Sequence, residues 1–476
     1  MSEMKVPMFV TKEVSEKGEF PFENCQLDRE KYAKILTSLI QNYGDGFVLA
    51  LNSPWGTGKT TFLKMWQQHL ENNNFATLHF NAWKTDYSSD PFVALIAQLN
   101  LLSDTKSKEA YDGVIAKAAT VAKRLLPAIT KAAINRYTDD EELAEAAGVV
   151  AEVAAGSLES QIEEQLKAEK SIEDFQTALK ELVEITTDGK PLVFIIDELD
   201  RCRPNYAVAV LEYIKHFFAV KGIVFVLGID KEQLGHAVRG VYGSDKIDAD
   251  EYLRRFIDLE YALPEPDLSI YCLFLHDQYG LDEFLKKEAR QNSSKLNAET
   301  KQFVDFTSAF FQNNKPTLRF IQKFYFRISV VMNFFKENQY VFPGLLVYLV
   351  FLKLKDETHY DDIKNKRLSY SELAINYESY INQHDDNLYH ECWIEAQLLV
   401  FYRNYLNGEQ RRYGKAPVLL TSDGKLDFKT TIEDEEWLDD GVVRAIKSIN
   451  DNFDYSDYSL GHFLNTIDLN SDIQLS

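Results

Sequence analysis

The string Asn52-Ser53-Pro54-Trp55-Gly56-Thr57-Gly58-Lys59-Thr60-Thr61 follows an apolar run, Phe47 to Leu51, and leads into a segment of helical periodicity reaching about Glu71. A continuous apolar run suits a strand covered on both faces. A loop that grips phosphate needs glycines for unusual dihedrals and backbone N–H groups aimed at one centre. It also needs a lysine, a hydroxyl for a divalent cation, and a helix N-terminus behind. Gly56, Gly58, Lys59 and Thr60 supply those parts, and Trp55, Thr57 and Thr61 complete the string expected to surround a nucleotide. The first glycine of the full pattern is replaced by Ser53, and Pro54 has no N–H to donate.

Further apolar stretches at Ala76 to Phe80, Leu192 to Ile196 and Ile223 to Ile229 each precede helical periodicity. Strands alternating with helices predict an α/β fold, a parallel sheet sandwiched by helices. The stretch Leu192 to Ile196 ends in Asp197-Glu198, at the carboxyl end of a strand, where a side chain reaches a metal beside the phosphate loop. Asp197, with Thr60, would hold Mg²⁺, and Glu198 would orient or deprotonate the attacking water.

Two stretches break the alternation. Between about Ser103 and Ser171 the chain is alanine-rich: Gly113 to Arg136 carries Lys117, Lys123, Arg124, Lys131 and Arg136 without an acid, and Asp139 to Glu164 is mostly acidic. This reads as a helical hairpin pairing opposite charges and broken at Pro127, with a membrane-surface helix as the alternative. Beyond Pro264-Glu265-Pro266 the chain reads as almost all helix, from Asp267 to Glu288 and onward to Tyr405. The expected organisation is a core over 1–266 interrupted by the 103–171 insertion, a helical lid over 267–340 and a helical C-terminal region over 341–476.

The motif set extends to Phe80-Asn81-Ala82-Trp83 with Asp90-Pro91, Asp197-Glu198-Leu199-Asp200-Arg201-Cys202, Asp230-Lys231, and Tyr252-Leu253-Arg254-Arg255-Phe256-Ile257 running into Leu263-Pro264. With Ser53 to Thr61 these resemble the KAP family of P-loop NTPases, over residues 20 to about 335. The resemblance implies an additional-strand, AAA-related fold, ATP as nucleotide and Mg²⁺ as cofactor. It also implies membership of a group associated with bacterial phage exclusion and signalling scaffolds. Family members usually carry aspartate where this chain has Glu198, the residue a hydrolysing enzyme prefers. Asp230 stands where related NTPases place a polar sensor of the γ-phosphate; a turn cap explains it equally. Arg255 is a candidate arginine finger for a neighbour's nucleotide, with Arg254 beside it, although surface arginines account for the same letters. Arg319 resembles a second sensor arginine on a helical lid, against a solvated basic stripe. Arg201 either acts in trans or pairs with Asp200.

The preferred reading is an ATP-binding, Mg-dependent, ATP-hydrolysing switch in anti-phage defence or signalling, homo-oligomeric and acting with a partner effector. The alternative is a nucleotide-dependent assembly scaffold with negligible turnover. Composition limits other classes. The 476-residue chain has a formal charge of −22, which repels nucleic acid except at local basic patches such as Arg403, Arg411, Arg412 and Lys415. Four scattered cysteines read as reduced thiols, and the absence of a signal peptide or spanning segment predicts a cytoplasmic protein.

Overall fold

The computed structural model describes residues 20–23, 25–87, 90–134, 158–381, 388–410, 418–429, 436–451 and 458–469. These fall into two compact units, one ending at Glu265 and the other beginning at Pro266.

The first unit is built on a five-stranded parallel sheet: β1 Phe47–Asn52, β2 Thr77–Asn81, β3 Leu192–Asp197, β4 Ile223–Ile229 and β5 Leu259–Ala262. Their order is β2-β3-β4-β1-β5, so β4 separates the strand feeding the phosphate loop from the strand ending in the acids. That is the additional-strand arrangement. The central strands alternate faces with period two. Leu49, Leu51, Val193, Ile195, Val224 and Val226 pack against α1 (Glu30–Asn42) and α2 (Lys59–Asn72), whose Leu36, Ile40, Phe62, Leu63 and Trp66 are buried. Trp66 is fully buried, lies 6.0 Å from the Phe62 ring, and donates its indole N–H to Thr37 Oγ1 at 3.0 Å. Burying a ring of that size contributes roughly 2–3 kcal/mol, and the hydrogen bond removes the cost of its one polar atom.

The other face, with Phe194, Ile196, Phe225 and Leu227, is covered by α3 (Pro91–Gln98), α4 (Lys108–Ile134), α5 (Leu158–Thr186), α6 (Pro204–His216) and α7 (Lys231–Tyr242). Helices α4 and α5 pack together through Val114, Ala118, Val121, Phe175, Leu179 and Leu182. Lys117 pairs at 3.1 Å with Asp174, an acid beyond the Asp139 to Glu164 stretch expected to meet the basic half. Both side chains are over 40% exposed, so the pair is worth under about 1 kcal/mol and the apolar seam holds the helices together. Pro127 does not break α4, which runs on to Ile134. A proline lacks the N–H for one i→i−4 bond, and α4 continues beyond that position. Arg136 and the acidic stretch up to residue 157 lie outside the described residues.

Strand β5 begins only at Leu259, because the N–H groups of Phe256 and Ile257 turn back onto Leu253 O.

The second unit is helical. Its centre is α8 (Pro343–Lys355), in which every residue from Pro343 to Leu352 is buried. At 13 residues it is a core helix, and among the described residues no helix is long and apolar enough to cross a membrane. Its entry is pinned by Glu299, which accepts from Phe342 N–H at 2.9 Å and from the Arg290 guanidinium. The helix expected over Asp267 to Glu288 is broken: Leu268–Gln278 ends before Gly280, whose φ of +64° caps a separate short helix, Leu281–Leu285. Arg319 lies exposed in Leu318–Met332, a helix of this second unit capped by Thr317. Arg403 donates to Asn450 Oδ1 at 3.0 Å, while the rest of the expected basic cluster, residues 411–417, lies outside the described residues.

Candidate nucleotide-binding site

The parallel sheet puts the carboxyl ends of β1, β2, β3 and β4 on one edge, and the phosphate loop leaves β1 there. Ser53 donates its N–H to Ile229 O at 3.1 Å, tying the loop's start to β4. The Thr57 hydroxyl donates to Pro54 O at 2.8 Å; its proton thus spent, it accepts from the Ser53 hydroxyl at 2.6 Å. Ser53 therefore closes the loop by a side-chain bond at the place where the usual pattern has glycine. Gly56 and Gly58 take φ of +81° and +84°, conformations costly for any residue with a Cβ, and Gly58 is the N-cap of α2.

Lys59 is 8% exposed, and its ammonium donates to Ser53 O at 2.7 Å. Burial pulls its pKa below the usual lysine value, opposed by the charges of Asp200, Asp230 and Asp197. Asp197 is completely buried, and desolvation raises its carboxyl to about 6, offset by the neighbouring Thr60 hydroxyl and the Glu198 N–H. Its Oδ1 accepts that N–H at 2.9 Å, while Oδ2 is buried with no hydrogen-bond partner among the described residues. An orphaned carboxylate oxygen beside a threonine hydroxyl fits Mg²⁺, which takes one or two protein oxygens and keeps several waters. The neighbouring strand makes room for the Asp197 carboxylate: Gly228 is in register with Asp197, and a Cβ there would sit 2.4 Å from Leu63 Cδ1 and 2.9 Å from Asp197 Oδ1.

Glu198 has φ +61°, a left-handed conformation that turns the chain sharply out of β3. Its two carboxylate oxygens are held separately. Asn81, at the end of β2, donates to Oε2 at 2.9 Å, and Arg201 pairs with Oε1 at 2.9 Å. Arg201 thus pairs with Glu198 rather than with Asp200, and its guanidinium lies 5.7 Å from the centre of the exposed Trp83 ring. Asp200 is taken by the indole N–H of Trp55, itself 43% exposed on the loop. Asp230 caps α7, accepting from Gln233 N–H at 3.3 Å, and still lies near enough to Lys59 to act on its charge. Thr60 is half-buried and Thr61 exposed.

The exposed Arg255 does not join this constellation in its own chain. It precedes β5, where Asp258 N–H bonds Val48 O and the Arg255 carbonyl accepts from Lys215 at the end of α6. Those contacts lie at the amino edge of the sheet, a strand length of roughly 17–20 Å from the loop. Arg254 pairs with Glu251 at 3.1 Å.

Three participants were not legible in the sequence. Arg29, at the start of α1, is buried and donates to the carbonyls of Thr57 and Gly58 at 2.7 and 3.1 Å. Asn81 carried a motif resemblance but no role. Gly228, a lone glycine inside an apolar strand, was the one signal available, since such a glycine marks close approach.

A glycine loop closed over a buried lysine, and a buried aspartate two strands away across an additional central strand, define a nucleotide-binding P-loop domain. The model described as the KAP family P-loop domain matches residues 29–331, more than half of the chain, and the chain belongs to that family. Over 176 residues it is 32% identical to the uncharacterized protein MJ0182 of Methanocaldococcus jannaschii, covering 32% of this chain and 89% of that protein.

Proposed function

We propose that this KAP-family domain binds ATP with Mg²⁺ and hydrolyses it, and that the nucleotide state switches the chain between conformations read by a partner effector. The observation that carries the reading is the convergence of Lys59, Thr60 and the partnerless Oδ2 of Asp197 at one sheet edge. Lys59 is poised to exchange its bond to Ser53 O for the β- and γ-phosphates, with the N–H groups of Gly56 to Thr60 around them. Thr60 and Asp197 would hold Mg²⁺, which neutralises charge developing on the transferred phosphoryl group. Glu198 would take the proton of the attacking water once released from Asn81 or Arg201. Arg319 as a γ-phosphate sensor rests on the resemblance of its sequence context. Arg255, exposed at the far edge, suits only the site of another subunit. Family membership supports a place in bacterial anti-phage defence or signalling.

A second reading has its own observation. Because both oxygens of Glu198 are occupied within the chain, a nucleotide-dependent scaffold with negligible turnover is also supported. Phosphate release by wild type and by Glu198→Gln separates the two. Hydrolysis predicts a large loss in the variant; equal release, with and without nucleic acid, leaves the scaffold.

A further inference from the structure

Arg29 stands behind the phosphate loop, on the side away from where phosphate would lie. Its side chain is 2% exposed, with NH2 2.7 Å from Thr57 O and NH1 3.1 Å from Gly58 O. A trans peptide points its C=O and its N–H in opposite directions. Holding the Thr57 and Gly58 carbonyls on the Arg29 side therefore aims the N–H groups of Gly58 and Lys59 the other way, into the cradle. Gly58 has φ +84°, a region a glycine explores freely unless something fixes it; its carbonyl also accepts from Phe62 N–H at 3.0 Å, so Arg29 acts together with the first turn of α2 at that peptide. The guanidinium is itself carried on a rigid support. Arg29 O accepts from Tyr32 and Ala33 at the start of α1, and α1 is tied to α2 by the Trp66–Thr37 hydrogen bond. The planar fork of arginine suits two carbonyls at once, and a buried cation there adds positive potential behind the anion site.

We infer that Arg29 is a positioning residue of the phosphate loop, holding two of its peptides in the anion-binding orientation and thereby setting the affinity for nucleoside di- and triphosphates. This rests on the nucleotide-binding reading above. Because the peptides it holds belong to the part of a phosphate loop that grips phosphates common to ATP and ADP, both should lose affinity by the same factor.

The test is calorimetric binding of ATP and ADP, with Mg²⁺, to the full chain as wild type, Lys59→Ala, Arg29→Gln and Arg29→Lys, with thermal unfolding of each nucleotide-free protein alongside. Arg29→Gln is expected to weaken ATP and ADP equally, by roughly 10- to 100-fold, as loss of two charge-assisted hydrogen bonds implies. Arg29→Lys, which keeps the charge without the fork, should fall between it and wild type while unfolding near the wild-type temperature. Wild-type affinity in a folded Arg29 variant would overturn the inference. So would failure of both variants to fold, because Arg29 would then be holding the unit together rather than orienting the loop. Absence of binding by wild type is a different result: it removes the nucleotide reading itself.

Discussion

Arg201 and Glu198, three residues apart at the turn out of β3, form an ion pair of 2.9 Å in which the guanidinium also rests on the Trp83 ring. Both side chains are less than a quarter exposed, so the pair is shielded from water and salt more than a surface pair. It occupies one of the two oxygens Glu198 would use to receive a proton. Arg201→Gln is therefore expected to raise basal phosphate release several-fold, with Glu198→Gln in the same background returning it to background. A fall in release with Arg201→Gln would instead assign the arginine to the reacting phosphate.

Asp197 contributes to the site at the expense of the fold. Its carboxyl is raised to about 6 by burial, against 3.8 as the ordinary value. Below the unfolded value both states are protonated and nothing is lost. As pH rises through the window from about 4 to 6 the unfolded chain ionises first, so stability declines, and above about 6 the full penalty is present. The shift corresponds to about 3 kcal/mol at neutral pH. Asp197→Asn should accordingly stabilise the nucleotide-free protein at pH 7.5, by up to that amount on the order of 3 kcal/mol, and do little near pH 4. It should also abolish any Mg²⁺-dependent increase in the unfolding temperature with ATP. Denaturant titrations at the two pH values check the first, and thermal unfolding with ATP in the presence and absence of Mg²⁺ checks the second.

His79 on β2 titrates in the opposite sense. Burial, with Lys64 and Lys84 nearby, lowers its pKa to about 4, and Nδ1 faces Gln67 Oε1 at 3.0 Å. The neutral ring is the one the fold accepts. Stability it contributes is present above about 6.5, the unfolded value, and is lost as pH falls through the window down to about 4. Unfolding free energy measured from pH 7 to pH 4 should fall by roughly 3 kcal/mol more in wild type than in His79→Gln. Parallel curves for the two proteins would contradict the assignment.

Gly228 is where β4 yields to Asp197. Gly228→Ala would press a methyl to within 2.4 Å of Leu63 Cδ1 and 2.9 Å of the Asp197 carboxylate. Overpacking of that kind costs about 1–3 kcal/mol. The displaced carboxylate should also weaken Mg²⁺-dependent ATP binding, seen by calorimetry at two Mg²⁺ concentrations.

The sequence made the framework legible because local signals agreed. The apolar runs at Phe47 to Leu51, Leu192 to Ile196 and Ile223 to Ile229 are strands within a residue of those limits, and the glycine loop lies between strand and helix as read. The additional-strand order followed only from the resemblance, since periodicity says nothing about which strands pair. What the sequence withheld lies in long-range contacts. Arg29 is 28 and 29 residues from the carbonyls it holds, and Asn81 is 117 from Glu198. Neither distance leaves a local pattern. The propensity of Pro127 alone points to a break, yet α4 runs through it to Ile134.

On the proposed reading, the loop from Ser53 to Thr61 grips a nucleotide through Lys59. Calorimetric titration of ATP with Mg²⁺ into the wild-type protein and into Lys59→Ala decides it. The expected result is saturable one-site binding that weakens at least roughly 10- to 100-fold in the variant, the loss of a lysine–phosphate contact. Unchanged affinity in Lys59→Ala, or no heat of binding in wild type at millimolar ATP, would contradict it.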